Sequence, residues 1–539
     1  MSRSRLSKSL LLTVLFFGAL ATNPLAASEI KENAQLAKQR AEMKGRQRRI
    51  IYNNDGYEVF LDGTNTPAGF LAIRMKATLD TQVDSIFYCT GTSTMFTHQA
   101  KVGEIYGKYA EGMTVTNNVQ ALHENYKTDA LALTVQFCHE NDLELFFTHR
   151  INDIHDSFND FEHCTWKREH PEYLLGKRED YKKYPQTDPR NRWAALNFEI
   201  PEVLDYLLAI IDDVLARYDV DGIEIDYFRN PLFFRPNQVG KPATSEQVKI
   251  LTGFQSRVRD LAYKHGNQRG RPILVATRVP VTKRLCRYVG IDIEQWLKED
   301  CLDMLMVGVG CHPFTRPTRE LVELGHAHGV PVYPVIAGST ARPKQRTLEH
   351  LRGAAAICWH ADADGVYLFN TYAEVFGMNY HDIFTELGDP NKLASKNKIF
   401  CIDHNRVVWG GIKNALLQHQ ILPLELDGSS KPLHVTLPVA DDVAGAAKEG
   451  RLELLTLRVQ FEGRAPEDKV ELRLNGDLLK STKEDAKSGW VIYATDPSQY
   501  RHGDNAIALR VSDWHDKEKP VFVNSVELRV DYHAGAVTN

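Results

Sequence analysis

Short apolar runs alternate with helical patterns through the first two thirds of the chain. The runs are nearly continuous in apolarity, as expected for parallel strands that are buried on both faces. They lie at residues 49–52, 85–88, 143–148, 222–227, 273–277, 304–309, 330–335 and 365–369. Between the third and fourth runs, Pro201 opens a segment with apolar residues at helical spacing, among them Val203 and Leu207. Eight strands with crossover helices predict an α/β fold, a (β/α)8 TIM barrel over residues 49–390.

An open, doubly wound sheet is the alternative arrangement for such a pattern. It would be favoured by a GxGxxG turn after the first strand, and the sequence has none there.

The pattern changes after about residue 390, where apolar and polar residues alternate with a period of two. The alternating segments are 433–437, 452–461, 470–474, 490–493, 506–511 and 525–532. Turn-forming pairs such as Asn475-Gly476 separate some of them. This part predicts an antiparallel β-sandwich over residues 422–535, joined to the barrel by a linker at 391–421.

The first residues have the pattern of an export signal. Arg3, Arg5 and Lys8 precede an apolar run at 10–20, and small residues follow up to Ala27. We expect a signal peptide at residues 1–27, a linker at 28–48 and an exported protein, in the periplasm, on the cell surface or secreted; an uncleaved anchor is the alternative. No later segment has 18 uninterrupted apolar residues, so no membrane span is predicted after cleavage.

Composition narrows the classes of partner. The chain has 539 residues with 65 Lys and Arg against 70 Asp and Glu, a net charge of −5. This balance offers no bulk attraction to nucleic acid or to an anionic membrane. The eight cysteines include no CxxC pair, which gives no support to a zinc ribbon or a thioredoxin-type site, and their pairing is left open.

Two acidic residues in the fourth run carry the strongest indication of chemistry. Alternate residues of a strand share a face, so Glu224 and Asp226 point one way while Ile223 and Ile225 point the other. The isoleucines suit the helix-facing side, which directs both carboxylates into the barrel. Two buried carboxylates are costly, so we expect Asp226 to be a catalytic nucleophile or base and Glu224 its acid partner or a group that tunes its pKa.

A structural ion pair is the alternative explanation for these carboxylates. Arg150, Arg229 or Arg278 would then be the partner.

The same region resembles a known family. Residues 191–193 (NRW), 201–203 (PEV) and 218–229 (YDVDGIEIDYFR) resemble the glycosyl-hydrolase-like family ten of bacterial barrel proteins. The resemblance implies a barrel and a glycosidase-like activity. More distantly the chain is similar to the α-amylase superfamily, in which the place of Asp226 is that of the nucleophile. The chain departs from that superfamily at Glu224, where arginine is usual, and at 276–280, which lacks the acidic residue of the fifth strand.

Further polar residues follow the predicted strands, where a barrel builds its active site. The long segment after the third strand starts with a group that could protonate a leaving oxygen or hold a hydroxyl. Most of these residues have an equally ordinary explanation as turn or loop residues. The candidate substrate-binding residues are Asp55, Arg150, Asn152, Asp153, His155, Arg229, Arg278, His312, Asn370 and Tyr372.

We expect no cofactor and no metal ion. A divalent cation on the side-chain oxygens of Asp153, Asp156, Asn159 and Asp160 is an alternative, although the spacing matches no known binding loop. A metal-dependent barrel hydrolase would need an early HxH motif; the only such spacing, at His326 and His328, lies in a helical segment.

Together the patterns predict an exported glycoside hydrolase that acts on a poly- or oligosaccharide. Arg150, Arg229 and Arg278 exceed what two carboxylates need, so a sulfated or uronic glycan is the expected substrate. The competing prediction is a non-catalytic glycan-binding or scaffold protein on a degenerate barrel. The sequence leaves the sugar, the linkage and the oligomeric state open.

Overall fold

The computed structural model describes residues 31–107, 117–185, 188–308, 319–337, 347–373, 377–402, 422–426, 431–515 and 519–535. The expected signal peptide at 1–27 and the candidate His312 lie outside these residues.

Eight parallel strands close into a barrel in chain order, with the eighth paired to the first. They are β1 (Ile50–Asn54), β2 (Val83–Cys89), β3 (Glu144–His149), β4 (Gly222–Asp226), β5 (Leu274–Val279), β6 (Met304–Val307), β7 (Val332–Ala337) and β8 (Val366–Phe369). Each strand overlaps one of the predicted runs. The predicted TIM barrel is therefore confirmed, and the doubly wound alternative is wrong.

Helices precede the barrel, connect its strands and follow it. They are α1 (Ala34–Lys44), α2 (Pro67–Ile73), α3 (Asn117–Asn125), α4 (Ala130–Glu140), α5 (Thr165–Glu169), α6 (Asp180–Lys183), α7 (Pro201–Arg217), α8 (Arg235–Gln238), α9 (Ser245–Arg269), α10 (Lys283–Val289), α11 (Ile293–Lys298), α12 (Arg319–Ala327), α13 (Leu348–His360), α14 (Tyr380–Glu386), α15 (Pro390–Leu393) and, in the C-terminal region, α16 (Val443–Lys448). None of the helices in the described part of the chain combines the length and apolarity that a membrane crossing needs.

The alternation of side chains in β4 follows the prediction. Ile223 and Ile225 join the apolar layer between strands and helices, whereas Glu224 and Asp226 point into the barrel. The interior around them is a separate apolar cluster from the other strands, which includes Phe146 and Met306. The two carboxyls therefore sit in a closed, largely apolar space.

A buried ion pair closes the floor of the barrel. Arg48 donates from Nε and Nη2 to the two carboxylate oxygens of Glu144 on β3, at 2.6 and 2.7 Å. Ser85 of β2 adds a hydroxyl hydrogen bond of 2.5 Å to the same carboxylate. Below it, Arg40 of α1 pairs with Asp303 at 2.6 Å. Residues 31–48, part of the expected 28–48 linker, are thus held against the amino-terminal end of the barrel.

The C-terminal region forms the predicted antiparallel sandwich. Its strands are β9 (Lys398–Ile402), β10 (Leu424–Leu426), β11 (Leu433–Val439), β12 (Leu452–Glu462), β13 (Lys469–Leu474), β14 (Asp477–Leu479), β15 (Ser481–Asp485), β16 (Trp490–Tyr493), β17 (Gly503–Asp513) and β18 (Val521–Tyr532). One sheet has the order β9-β18-β12-β16-β15, with β10 also on β18, and the other has the order β11-β17-β13-β14. Both contribute to one apolar core.

The first sandwich strand lies where the sequence predicts a linker. β9 pairs with β18 over its full length and also packs on helix α13 of the barrel. Gly353 of α13 makes this approach possible, because a Cβ at that position would lie 2.1 Å from the backbone oxygen of Ile399. The expected linker at 391–421 therefore contains a strand that joins the sandwich to the barrel.

The Gly353→Ala variant tests this close approach. Alanine ordinarily stabilises a helix interior over glycine by about 1 kcal/mol. Here we expect a loss of about 1–3 kcal/mol in the free energy of unfolding, since the new methyl group overlaps the backbone of β9. Urea denaturation measures it. The control is Gly45→Ala, where the nearest atom would lie 3.5 Å from the Cβ. A stabilised Gly353→Ala protein would contradict the packing.

Candidate active site at the mouth of the barrel

The carboxyl-terminal ends of five strands bring most of the candidate residues together. Asp226 and Arg278 are register partners on β4 and β5, and Glu224 is the register partner of Thr148 on β3. The segments that follow β1, β3 and β8 supply the remaining candidates. This end of a (β/α)8 barrel is the one that carries active sites.

Asp226 is held in a clasp of N–H donors. Its Oδ1 accepts from Nε of Arg278 and from the backbone N–H groups of Phe228 and Arg229, each at 2.9 Å. Its Oδ2 accepts from Nη2 of Arg278. Asp226 is 1% exposed and Arg278 is fully buried, over the ring of Phe369 at 4.1 Å. The predicted alternative, an ion pair with Arg278, is therefore present.

Glu224 lies one inward position below Asp226. Its Oε2 accepts hydrogen bonds from the hydroxyls of Thr148 at 2.7 Å and Tyr367 at 2.9 Å, whereas the buried Oε1 has no partner. Burial first, and then the negative charge of Asp226, raise the pKa of Glu224 to about 7. The two carboxyls therefore differ in their environments: one is clasped by a cation and the other is pushed toward its neutral form.

A second cluster follows β3. Asp153 is fully buried and contacts His155 through Oδ1, with 2.6 Å to the ring Nδ1. His155 Nε2 lies 2.8 Å from Nη2 of Arg229, which is a donor only, so the ring accepts there and donates its Nδ1 proton to Asp153. Burial alone would raise the pKa of Asp153, but His155, Arg229 and Arg150 outweigh it and hold the pKa well below its usual range.

A third cluster joins β1 and β8. Asp55 accepts a hydrogen bond from Nδ2 of Asn370 at 3.4 Å and forms an ion pair with Arg74 at 3.3 Å. The backbone N–H of Asp55 donates to the hydroxyl of Tyr372, at 3.3 Å. The guanidinium of Arg74 stacks on the Tyr372 ring at 3.6 Å. Tyr372, predicted to bind substrate, is 7% exposed, and the cation on its ring covers one face that a sugar could otherwise contact.

Asn152 has a structural task that the sequence did not reveal. Its Nδ2 donates to the backbone oxygen of Leu232 at 2.6 Å, and its Oδ1 accepts from the N–H of Leu196 at 2.8 Å. The side chain is 1% exposed and ties together the long segments after β3 and β4. Both polar atoms of its amide are therefore bound within the protein, whereas the sequence predicts that Asn152 contacts the substrate.

The carboxylates of the loop that was considered for a cation bind cations of the protein instead. Asp156 pairs with Lys167 at 2.8 Å and with His163, and Asp160 pairs with Arg178. Among the residues that the structure describes, no group of three or more His, Cys, Asp or Glu side chains is arranged to hold a metal ion.

Several residues of the site are not among the candidates that the sequence indicates. Thr148, Tyr367 and Phe369 take inward positions of β3 and β8, which the alternation of each strand could have indicated. Arg74 comes from the end of α2, far from any candidate motif, and nothing in its sequence context points to the site.

One family model matches part of the chain. Residues 103–249 match the family described as Glycosyl hydrolase-like 10. This segment includes β3, β4 and the long loop between them, so the predicted resemblance to glycosyl-hydrolase-like family ten is confirmed over it. The protein combines a TIM barrel with a glycosyl-hydrolase-like segment. No curated protein matches the chain.

Solved structures with similarity to the chain include three carbohydrate-active enzymes. They are alpha-L-fucosidase isoenzyme 2 from Paenibacillus thiaminolyticus (13% identity, TM-score 0.37, 63% of this chain and 49% of that chain), the endo-beta-1,4-mannanase from Thermotoga petrophila (11%, 0.36, 90% and 98%) and an Anoxybacillus alpha-amylase (12%, 0.34, 87% and 99%). This chain spans about half the length of the fucosidase. At these identities and TM-scores the similarities carry no inference about substrate.

The Glu224→Gln variant tests the raised pKa. A carboxyl whose pKa is raised from 4.5 to about 7 on folding favours the folded state fully below 4.5, and this contribution is lost as the pH rises through 7. Between pH 5 and pH 8 we expect the free energy of unfolding of wild type to fall by on the order of 3 kcal/mol more than that of Glu224→Gln. Urea unfolding at each pH measures it, with the exposed Glu453→Gln as control. Parallel profiles for wild type and Glu224→Gln would contradict the assignment.

Proposed function

We propose that the protein is an exported glycoside hydrolase that acts on a poly- or oligosaccharide carrying anionic groups. The observation that carries the proposal is the position of Asp226, a carboxylate that ends β4 inside the segment matched to Glycosyl hydrolase-like 10. Carboxylates at this end of a barrel strand are the groups that glycosidases use as nucleophile or base. The export pattern at residues 1–27 supports the exported location.

The two carboxylate oxygens of Asp226 differ in the number of hydrogen bonds that they accept. Oδ1 is saturated by three N–H groups, whereas Oδ2 accepts from Arg278 alone. A carboxylate oxygen has about two acceptor positions, so Oδ2 is the atom that keeps one for a sugar carbon or an attacking water. Arg278 and the backbone amides orient the group. In this proposal Asp226 is the nucleophile or base.

Glu224 serves Asp226 in this scheme as a tuning group. It lies deeper in the barrel and is fully buried, with Thr148 and Tyr367 on its oxygen, so it is poorly placed to reach a leaving group. Its raised pKa keeps it largely neutral on the acidic side of pH 7, which spares Asp226 the repulsion of a second negative charge.

Anionic groups on the substrate are proposed because guanidinium groups crowd the mouth. Arg278 is paired with Asp226, while Arg150 and Arg229 share one carboxylate, Asp153, at 3.9 and 3.7 Å. Neither contact is as short as a hydrogen bond, and both guanidinium groups keep buried N–H donors without a partner that a sulfate or a uronic carboxylate could accept from.

A non-catalytic glycan-binding protein is the second candidate. One observation favours it: the fifth strand supplies Arg278, which occupies Asp226 from the side, in place of an acid. A carboxylate that is 1% exposed and bound by three groups is also what a purely structural ion pair looks like.

The Asp226→Asn variant separates the two candidates. Wild type and variant are screened on neutral and anionic polysaccharides, with release of reducing ends and binding measured side by side. If the protein is a hydrolase, Asp226→Asn lowers turnover by several orders of magnitude while substrate still binds. Asp205→Asn, an exposed carboxylate that pairs with Arg257 on the outside of the barrel, should keep full activity.

Two results would contradict catalysis by Asp226. Undiminished turnover in Asp226→Asn would remove the residue from the mechanism. Binding without any release of reducing ends by wild type would select the second candidate. Thermal unfolding of each variant shows whether a loss comes from misfolding, since Asp226→Asn leaves Arg278 without its buried counter-charge.

A further inference from the structure

Five arginines are buried among the residues described, namely Arg48, Arg74, Arg150, Arg259 and Arg278, and two of them bind a carboxylate in the same way. Arg48 uses Nε and Nη2 to hold both oxygens of Glu144, and Arg278 uses Nε and Nη2 to hold both oxygens of Asp226. These two nitrogens lie on one edge of the guanidinium, where their N–H bonds match the spacing of two oxygens on one acid group. The barrel thus shows twice how this edge is filled.

Arg150 has the same edge, and there it has no hydrogen-bond partner. The residue follows β3 directly and is 6% exposed. Its Nε and Nη2 are both buried, and neither has a hydrogen-bond partner. On the opposite side, Nη1 faces Asp153 at 3.9 Å, beyond the length of a hydrogen bond. A buried guanidinium with two unused donors on one edge is costly, and such groups call for a ligand, an ion or a functional role.

The surroundings of Arg150 keep its charge in place. Two carboxylates, Asp55 and Asp153, act on it electrostatically, and the pKa of Arg150 is raised despite its burial. Its guanidinium carbon lies 6.0 Å from the ring of Phe369, the same ring that carries Arg278. The group is therefore a buried cation at the mouth of the barrel, beside the same aromatic ring as the arginine that holds Asp226.

Neighbouring cations add to the same local charge. Nε of Arg229 is buried and has no hydrogen-bond partner, and Nη1 of Arg278 is in the same condition. Burial first, and then the charge of Arg229, lower the pKa of Arg192 to about 10. Arg150, Arg229 and Arg278 therefore all keep unused cationic donors on this side of the mouth, which favours an anion over a further neutral hydroxyl.

We propose that the Nε–Nη2 edge of Arg150 binds an oxyanion of the substrate, a uronic carboxylate or a sulfate ester, and is a specificity-determining contact of the site. The inference rests on the proposed function and deepens it, because it places one charged substituent of the glycan at one residue. Both kinds of oxyanion present two oxygens at the spacing that this edge requires. The competing occupant of the edge is a carboxylate of the protein itself, if Asp55 or Asp153 leaves its present partners and turns toward Arg150.

Equilibrium binding tests the proposal independently of turnover. The probes are a glucuronate oligosaccharide with its carboxyl-reduced neutral form, and a sulfated glucan oligosaccharide with its unsulfated parent, each titrated calorimetrically. We expect wild type to bind at least one charged probe about tenfold or more tightly than its neutral partner. The charged probe that binds more tightly than its neutral partner shows whether the bound group is the carboxylate or the sulfate.

Two variants of Arg150 then locate the preference. Arg150→Gln should lose about ten- to a hundredfold in affinity for the charged probe, as expected for a charge-assisted hydrogen-bonded pair, and keep the affinity for the neutral one. Arg150→Lys keeps the positive charge but lacks two N–H donors on one edge, so we expect an intermediate loss of affinity for the charged probe. The control is Arg257→Gln, an exposed arginine of α9 whose loss should change neither affinity.

The failures are distinguishable. Equal affinity of wild type for charged and neutral probes overturns the Arg150 subsite and leaves glycan binding intact. A charged preference that persists in a folded Arg150→Gln protein also overturns it, since the anion then lies elsewhere. Absence of binding to every probe contradicts the proposed function as well. If Arg150→Gln does not fold, Arg150→Lys decides the question by itself: unchanged affinity for the charged probe in that variant overturns the proposal.

Discussion

The ion pair between Asp226 and Arg278 organises the mouth of the barrel. Both residues lie inside the barrel, so removing either one would leave a buried charge without a partner, at a cost of about 3–5 kcal/mol. The pair joins β4 to β5, and the same Asp226 oxygen accepts the backbone N–H groups that start the next loop. One carboxylate thereby fixes a strand pair, a loop and the orientation of a cation.

Charge is distributed in layers along the barrel axis. Arg48 and Glu144 close the floor, an apolar layer with Phe146 and Met306 fills the middle, and Glu224 and the clasp of Asp226 lie above it. Each buried charge of the floor meets its counter-charge at hydrogen-bond distance. Guanidinium donors without a hydrogen bond occur at both ends of the barrel: Nη1 and Nη2 of Arg259 beside the floor, and Nε and Nη2 of Arg150 toward the mouth. Arg259 still pairs with Asp303 at 2.8 Å, whereas the nearest ion-pair contact of Arg150 is 3.9 Å.

The long segments after β3 and β4 are held rigidly by buried polar groups. Asn152 bridges two of them through backbone hydrogen bonds, and Lys167 reaches the backbone oxygen of Ala194 while it pairs with Asp156. In these contacts, polar side chains position the loops. Several polar side chains of this segment are therefore bound within the protein and serve the structure of its loops.

The order of strands and the inward direction of Glu224 and Asp226 followed from the sequence alone. Both rest on local rules, the near-continuous apolarity of buried strands and the two-residue alternation of side chains, which need no knowledge of the neighbours. The same rules predicted the sandwich, though not that β9 at 398–402 would begin it inside an expected linker. The tertiary structure alone decided which partner each charge takes: that Arg278 clasps Asp226, that Asn152 serves the loops, and that Arg150 keeps a free edge. Those outcomes depend on strand register and on contacts between segments tens to hundreds of residues apart, where small differences in distance decide between an ion pair and an open site.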